Sequence, residues 1–194
     1  MTDRLPHPRP ARAQNLRDLL HALTPADDLE ARWRDDVLAL LDGAAGDPFS
    51  RDHFVPGHVT ASAFVLSPSG GELLLIEHSK LHRWLQPGGH VDPGDESVFA
   101  AAQREVAEEV GLPNLPPATG HGSGLFDVDV HVIPARKGDP EHRHFDVRFL
   151  LQSPTMEVIA GSDAKAARWV PLGEVNAEAS DESVMRAVRK LLRA

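Results

Sequence analysis

The stretch from Gly88 to Leu112 constrains the fold of this chain more than any other part of its sequence. It begins with a loop rich in glycine and proline and continues as an alanine-rich run that favours helix. Gly111 and then Pro113 end that run, as expected at the C-terminus of a helix. The stretch therefore predicts a tight loop followed by a helix that begins near Asp95 or Glu96.

Three glutamates of this predicted helix share one sector of its surface. Glu105, Glu108 and Glu109 are spaced at i, i+3 and i+4, so their carboxylates lie close together. Such carboxylates repel one another unless a positive charge lies between them, and Mg²⁺ is a hard cation that prefers oxygen ligands. A solvated acidic surface is the alternative, and it would better explain an isolated pair of glutamates. Because Arg104 and the glycine loop occur in the same stretch, a metal-binding helix is the stronger interpretation.

This stretch resembles the Nudix box. The pattern of that box is glycine, five residues, glutamate, seven residues, Arg-Glu, an aliphatic residue, any residue, Glu-Glu, any residue, glycine and an aliphatic residue. The second half of the pattern is matched in full by Arg104, Glu105, Val106, Glu108, Glu109, Gly111 and Leu112. Glu96 has the required spacing from Arg104, but His90 stands where the first glycine belongs. The resemblance therefore spans residues 89–112 with one extra residue.

The extra residue has two candidate positions. It lies in the loop between Gly89 and Glu96, or it lies in the helix if Asp95 replaces Glu96 as the acid of the pattern. A loop accepts one more residue at little cost, whereas an insertion in the helix would turn the carboxylates by about 100°. We therefore favour an insertion in the loop.

The resemblance implies a chemistry and a set of residues. Nudix enzymes use Mg²⁺ or Mn²⁺ to hydrolyse a diphosphate bond in a nucleoside diphosphate that is linked to another moiety. The implied metal ligands are Glu105, Glu108, Glu109 and the carbonyl group of Gly88. Glu105, or a carboxylate from a later loop, would accept the proton of the attacking water. The expected role of Glu96 and Arg104 is a buried ion pair that fixes the loop to the helix.

A non-catalytic nucleotide-binding or regulatory module on the same fold is the alternative function. Loss of the glutamates would be its signature, and all three are present. Isopentenyl-diphosphate isomerases, which resemble the box only loosely, use a catalytic cysteine, and this chain contains none. The predicted activity is therefore the hydrolysis of a small nucleotide-type diphosphate.

The composition excludes several classes of partner. The formal net charge is −9, which disfavours a general nucleic-acid surface or a surface for anionic membranes. Residues 1–12 contain arginine and proline but no apolar segment of a signal peptide. No run of the sequence approaches the roughly 18 apolar residues of a membrane span. We therefore expect a cytoplasmic protein.

The order of the predicted elements indicates two parts. We expect residues 1–50 to form a tail and a helical extension, and residues 51–194 to form the domain that the resemblance to the Nudix family implies. The alternation of strands and helices in the second part, together with the resemblance, predicts an α/β/α sandwich around a mixed β-sheet. The predicted strands are His58–Leu66, Glu72–Glu77, Leu125–Ile133, His144–Leu151 and three short ones, around His90 and Val91, at Met156–Ile159 and at Arg168–Val170. The extension is expected to pack on the domain or to form the interface of a homodimer.

Polar side chains alternate along the second half of the chain. In one predicted strand they share a face and comprise His142, His144, Asp146 and Arg148. Polar sheet positions are the commoner explanation of such a face, and metal coordination by its histidines and aspartate is an alternative. We expect this face to line the substrate pocket, with His144, Arg148 and Glu141 as candidate substrate-binding residues. Four other histidines are interpreted as surface or loop residues, namely His58, His78, His82 and His90. In the predicted strand Leu125–Ile133, the alternation of polar and apolar residues places Phe126 and Val128 on one face.

Overall fold

The computed structural model describes residues 9–79, 82–120, 124–136, 138–161, 164–177 and 179–193. The helices in these ranges are α1 (Arg9–Ala22), α2 (Asp28–Gly43), α3 (Val98–Val110) and α4 (Glu182–Leu191). The strands are β1 (Gly57–Leu66), β2 (Glu72–His78), β3 (Trp84–Leu85), β4 (Gly88–His90), β5 (Leu125–Ile133), β6 (His142–Gln152) and β7 (Ala164–Pro171). Residues 1–8 of the predicted tail lie outside the described ranges. None of the described helices has the length and apolar composition needed to cross a membrane.

The strands form one mixed sheet with β1 near its centre. β1 pairs in parallel with β6 along its whole length, and its other edge pairs in antiparallel with β2 and β4. β5 extends the sheet beyond β6, while β3 and β7 pair with β2. Helices lie on both sides of this sheet, so the predicted α/β/α sandwich around a mixed sheet is confirmed.

The two faces of the sheet have different partners. Successive side chains of a strand point to opposite faces. One face of β1 carries Val59, Ala61, Ala63 and Val65, which belong to a core shared with α1, α2 and α3. The other face carries Phe64 and Leu66, which belong to a second core shared with α4. We call the first cluster the α3-side core and the second the α4-side core. Toward the start of β1, this second face becomes polar, at His58, Thr60 and Ser62.

Because of a bulge in β5, one side chain points to the face of the sheet opposite to the predicted one. The pairing of β5 with β6 shifts register between Leu125 and Asp127, and a bulge of this kind moves the following side chains to the other face. Phe126 consequently packs in the α4-side core, with its ring centroid 6.1 Å from that of Phe64. Val128 lies in the α3-side core. The prediction that Phe126 and Val128 share a face is therefore wrong.

α3 begins and ends at residues whose chemistry suits those positions. The Ser97 side chain accepts a hydrogen bond from the backbone N–H of Ala100 at 3.1 Å, which caps the first turn. Gly111 follows the last turn with φ of 72°, a left-handed conformation that favours glycine. The predicted helix is therefore confirmed, although it starts two residues after Glu96.

The segment after β6 binds the C-terminal end of α3. The backbone N–H of Ile159 donates to the carbonyl of Val110 at 3.1 Å, and that of Gly161 donates to the carbonyl of Glu109 at 2.8 Å. These bonds satisfy carbonyl groups that the last turn of a helix leaves without partners. The prediction of a strand at Met156–Ile159 is wrong, because this segment pairs with the helix end and not with the sheet.

The N-terminal helices are part of the same structure as the sheet. Their buried side chains in the α3-side core are Leu16, Leu20, Val37, Leu40 and Leu41, and Leu23, directly after α1, joins them. α2 also contacts α4 through charged groups. Lys190 Nζ donates to the carboxylate of the fully buried Glu30 at 2.6 Å, and Arg186 lies over the ring of Trp33 at 4.7 Å. Burial raises the pKa of Glu30, while hydrogen bonds from the Ala26 backbone and Lys190 oppose this effect.

Breaking the Glu30–Lys190 pair on one side should cost more than removing both charges. Lys190→Met leaves the Glu30 carboxylate buried without its cation, so the free energy of unfolding should fall by about 3–5 kcal/mol. Glu30→Gln should have a similar cost, because the Lys190 ammonium loses its anion. The double variant should lose much less than the sum, as measured by urea unfolding.

The exposed pair of Arg34 and Asp35 provides the control for this cycle. Arg34→Met should change the free energy of unfolding by less than about 1 kcal/mol, because water screens that pair. Strictly additive losses from Glu30→Gln and Lys190→Met would contradict a coupled pair between α2 and α4.

Candidate active site

Arg104, on α3, is at the centre of the charged groups around the glycine loop. Its Nε and Nη2 donate to the two carboxylate oxygens of Asp95 at 3.2 and 3.1 Å. Nη2 also donates to the backbone carbonyl of His90 at 2.9 Å. Nη1 donates to Glu105 at 2.8 Å and to Glu108 at 3.1 Å. One guanidinium therefore connects the loop before α3 to two of the three glutamates.

Of the adjacent acids Asp95 and Glu96, it is Asp95 that binds Arg104, and Asp92 of the same loop adds an ion pair at 3.7 Å. The side chain of Asp95 is 8% exposed and accepts from the guanidinium in two-pronged geometry, whereas Glu96 is exposed. The prediction of a buried Glu96–Arg104 pair is therefore wrong. Asp95 thus takes the position of the pattern's acid, as in the alternative in which it replaces Glu96. α3 runs without interruption from Val98 to Val110, so Glu105, Glu108 and Glu109 keep their i, i+3 and i+4 spacing.

The glycines of β4 allow the strand to approach α3 closely. The backbone N–H of Gly88 donates to the Glu109 carboxylate at 2.9 Å. A Cβ at Gly89 would lie 2.6 Å from Oε1 of Glu105, which is closer than real Cβ contacts allow. Any side chain at position 89 would therefore displace the Glu105 carboxylate from its place against the strand.

The three glutamates differ in their exposure to solvent. Glu109 is buried, Glu105 is partly buried, and Glu108 is exposed. Burial raises the pKa of Glu105, and the charge of Arg104 opposes this effect. Their carboxylates therefore extend from the interior at β4 to solvent, and each is held by a donor of the loop or of Arg104.

Arg12 reaches the same loop from α1. Its Nη2 donates to the carbonyl of Pro93 at 3.2 Å and also to the carbonyl of Asp95. The side chain is buried, and its guanidinium lies 5.4 Å from the ring centroid of Phe49. The N-terminal extension therefore supports the loop that carries Asp95, a role that the sequence did not indicate.

A buried network occupies the polar face of β1 and β6. Asp146 accepts hydrogen bonds from Thr60 at 3.0 Å, from Ser62 at 2.8 Å and from Arg148 Nε at 2.8 Å. Arg148 is 2% exposed, and its Nη1 donates to Asp127 at 3.2 Å. Asp146 and Arg148 therefore share one face of β6, as predicted. The contacts of Arg148 within this network indicate a structural role for it.

Histidines from three strands meet next to this network. The ring centroid of His58 lies 5.1 Å from that of His90 and 4.7 Å from that of His144, and the last two are 5.5 Å apart. One ring nitrogen of each lies within 4.8 Å of the other two. Within the part of the chain that the structure describes, this is the only such group of three histidine, cysteine, aspartate or glutamate ligands.

Two of these histidines were not expected there. His58 is 1% exposed and His90 is partly buried, so the interpretation of both as surface or loop residues is wrong. Burial and the neighbouring histidines lower the pKa of His58 to about 4 and that of His144 to about 2, and burial also lowers the pKa of His90. All three rings are therefore neutral at pH 7. The alternation in β1 was the signal for His58, because it places His58 on the same face as Thr60 and Ser62.

The predicted substrate-binding residues do not form one group. His144 belongs to the histidine trio, Arg148 to the buried network, and Glu141 is exposed before β6. Contacts of His144, Arg148 and Glu141 with substrate stay predictions. Coordination of a metal by His142, His144 and Asp146 is not the arrangement found, because Asp146 binds Thr60, Ser62 and Arg148.

Comparisons with known proteins identify the family and the fold. The NUDIX domain model matches residues 56–191. A MutT NUDIX hydrolase from Burkholderia pseudomallei is similar at 26% sequence identity and a TM-score of 0.53, over 68% of this chain and 95% of that chain. A NUDIX-family hydrolase from Clostridium perfringens has 24% identity and a TM-score of 0.51, over 70% and 97% of the two chains, and shares the fold. The comparison with curated protein sequences finds no match.

The family match contains both the sheet and the proposed catalytic helix. It begins one residue before β1, covers well over half of the chain, and includes the glycines of β4 and the glutamates of α3. The helical extension before residue 56 lies outside it. This chain therefore belongs to the Nudix family and is a hydrolase of that family.

Proposed function

We propose that this hydrolase cleaves the pyrophosphate bond of a nucleotide-type diphosphate with the help of Mg²⁺ or Mn²⁺. The observation that carries the proposal is the close approach of the glycine strand β4 to the glutamates of α3, with Gly88 bound to Glu109 and Gly89 next to Glu105. Membership of the Nudix family supports pyrophosphate hydrolysis as the type of reaction.

The donor set suits a hard divalent ion. Glu105, Glu108 and Glu109 offer carboxylate oxygens, and Mg²⁺ and Mn²⁺ prefer oxygen ligands. Gly88 is proposed to add its backbone carbonyl. Bound there, the ion would offset the negative charge of the diphosphate and lower the pKa of a coordinated water.

The protein's own groups prepare the site for this reaction. Arg104 fixes the carboxylates of Glu105 and Glu108 relative to the loop, and the N–H of Gly88 fixes that of Glu109. Glu105, or a carboxylate of a neighbouring loop, accepts a proton from the attacking water. Water adds across the P–O–P linkage, the bond to the leaving phosphate breaks, and two phosphate-containing products result.

Substitution of Glu109 by glutamine tests the proposal. Glu109→Gln keeps an oxygen that can accept from the N–H of Gly88 but removes the charge, so the melting temperature should stay near normal. Turnover with Mg²⁺ should fall by about 100-fold or more, on the scale of losing one electrostatic group of an active site. Product release would be measured on a panel of sugar nucleotides, dinucleoside polyphosphates and nucleoside triphosphates.

The exposed Glu174 provides the matched control. Glu174→Gln makes the same chemical change outside the box and should leave turnover unchanged. Full turnover by both Glu109→Gln and Glu108→Gln would sink the metal-site assignment. Absence of hydrolysis of every compound in the panel by the wild-type protein would instead favour a binding module.

The adjacent acids Asp95 and Glu96 should respond differently to neutralisation. Asp95→Asn removes the anion that accepts two bonds from Arg104, whose side chain is 24% exposed. We expect the free energy of unfolding to fall by about 1–3 kcal/mol, less than for a fully buried pair because water reaches the guanidinium. Glu96→Gln should cost less than Asp95→Asn, because the Glu96 side chain is exposed and water screens its charge. Equal losses in thermal or urea unfolding would contradict the assignment of Asp95.

Removal of the Arg12 guanidinium should loosen the loop before α3. Arg12→Met keeps an apolar stem but leaves the carbonyls of Pro93 and Asp95 without this donor. Hydrogen exchange of the backbone amides at residues 92–97 should become faster, and turnover should fall. Arg17→Met is the matched control on the same helix, because Arg17 binds Asp42 on α2 and not the loop. Identical exchange in the two variants would rule out this support.

A further inference from the structure

The histidine trio lies on the face of the sheet opposite to α3 and supplies no group to the proposed Mg²⁺ site or to the proton transfer. His58 lies on β1, His90 on β4 and His144 on β6, so neighbouring strands of one sheet carry all three. His58 pairs directly with His144, and His90 pairs with Thr60, two residues further along β1. The hydrogen-bonded register of three strands therefore fixes the positions from which the imidazoles extend.

The two ring nitrogens of the buried His58 side chain differ in their hydrogen bonding. Its Nδ1 lies 3.3 Å from the carbonyl oxygen of His53, and a carbonyl only accepts, so Nδ1 carries the proton. Nε2 then presents a lone pair, yet it is buried and has no hydrogen-bond partner among the described residues. A buried polar atom left without a partner costs free energy, so a ligand for that lone pair is the simplest explanation.

The arrangement of His58 is typical of a histidine that binds a metal. Such histidines donate one ring N–H to a carbonyl or carboxylate, which orients the ring and leaves the other nitrogen free for the ion. His142, which borders the trio with its ring centroid 5.1 Å from that of His58, has the same pattern, because its Nδ1 lies 2.8 Å from the carbonyl oxygen of Pro140. Backbone carbonyls therefore orient the ring of His58, a member of the trio, and that of the neighbouring His142.

We propose that His58, His90 and His144 form a second metal site, which binds a divalent first-row transition ion such as Zn²⁺. Imidazole nitrogen suits zinc, copper, nickel and iron, whereas Mg²⁺ prefers oxygen. Three histidines with one position open to solvent or a further ligand is an established zinc donor set. Zinc bonds of about 2.0–2.1 Å would place the nitrogens about 3.3 Å apart, so small ring rotations close the observed separations of up to 4.8 Å.

The proposed ion would join the strand at which the Nudix box begins to the centre of the sheet. β4 is only three residues long, and the backbone carbonyl of His90 accepts from Arg104. A bond from the His90 ring to an ion shared with His58 and His144 would therefore fix β4 to β1 and β6, while the His90 carbonyl keeps its hydrogen bond from Arg104 on α3. The site is separate from the carboxylates of α3, and its existence does not depend on the hydrolysis proposed above.

Zinc titration of the tag-free, chelator-treated protein tests the site. Excess Mg²⁺ is kept in solution to occupy the carboxylates of α3, and Zn²⁺ is added in an isothermal titration calorimeter. The wild-type protein should bind one equivalent of Zn²⁺, and its melting temperature should rise with the logarithm of free Zn²⁺ once that concentration exceeds the Kd. Co²⁺ bound at the site should give the strong visible absorption of a four-coordinate ion and not the weak bands of a six-coordinate one.

Two variants and two controls complete the experiment. His90→Gln and His144→Gln should each weaken Zn²⁺ binding by more than about 100-fold, because loss of a ligand exceeds loss of a group that only orients one. His21→Gln, an exposed histidine of α1, and Glu105→Gln should retain the wild-type affinity. Circular dichroism establishes that each variant is folded, and His90→Gln serves if His144→Gln does not fold.

Three results would overturn the proposal. The first is a wild-type protein that binds Zn²⁺ no more tightly than His90→Gln. The second is loss of the bound equivalent in Glu105→Gln, which would place the ion on α3. The third is a six-coordinate Co²⁺ spectrum that is unchanged in His90→Gln, which would exclude coordination by the trio.

Discussion

The register between β1 and β6 determines what each face of the sheet presents. The two strands pair without interruption from Gly57 opposite Arg143 to Leu66 opposite Gln152. Since side chains alternate, this register aligns Val59 with Phe145 beneath the helices and aligns His58 with His144 on the opposite face. A slip of one residue would bury the polar set in the α3-side core and expose the apolar one. Both the core and the histidine trio therefore depend on the same ladder of hydrogen bonds.

The short strand β4 connects the two faces. Gly89 faces Glu105 on the α3 side, and the ring of His90, one residue later, lies on the other side with His58. The carbonyl of His90 is at the same time a partner of Arg104. Oxygen donors and nitrogen donors are thus separated by the thickness of one strand. Mg²⁺ is expected to prefer the oxygen donors on the α3 side, and an ion such as Zn²⁺ the imidazole nitrogens on the other side.

Local sequence patterns predicted the elements but not the contacts that depend on register or on adjacent residues. The bounds of β5 were predicted from alternation, and the end of α3 from Gly111. The spacing of the box favoured Glu96 over Asp95, yet the turn before Ser97 directs Asp95 inward. Such a turn is set by hydrogen bonds, among them the one from the Asp92 N–H to Asp95, which spacing does not encode.

Contacts between distant parts of the chain were even harder to predict from the sequence. The approach of Arg12 to the loop requires the position of α1 on the core, and no pattern in residues 9–22 specifies it. His58 and His144 meet only because their strands are parallel neighbours, a pairing that joins segments far apart in the chain. The interpretation of His58 as a surface residue failed for that reason.

The charges around α3 explain why a metal ion is the expected source of positive charge for an anionic substrate. The chain carries a net charge of −9, and the guanidinium closest to the glutamates is already engaged. Every nitrogen of the Arg104 guanidinium donates to Asp95, Glu105, Glu108 or the carbonyl of His90. Arg148 is likewise occupied by carboxylates and buried. A diphosphate placed against these glutamates would meet uncompensated repulsion, and a divalent cation between carboxylate and phosphate oxygens removes it with one group.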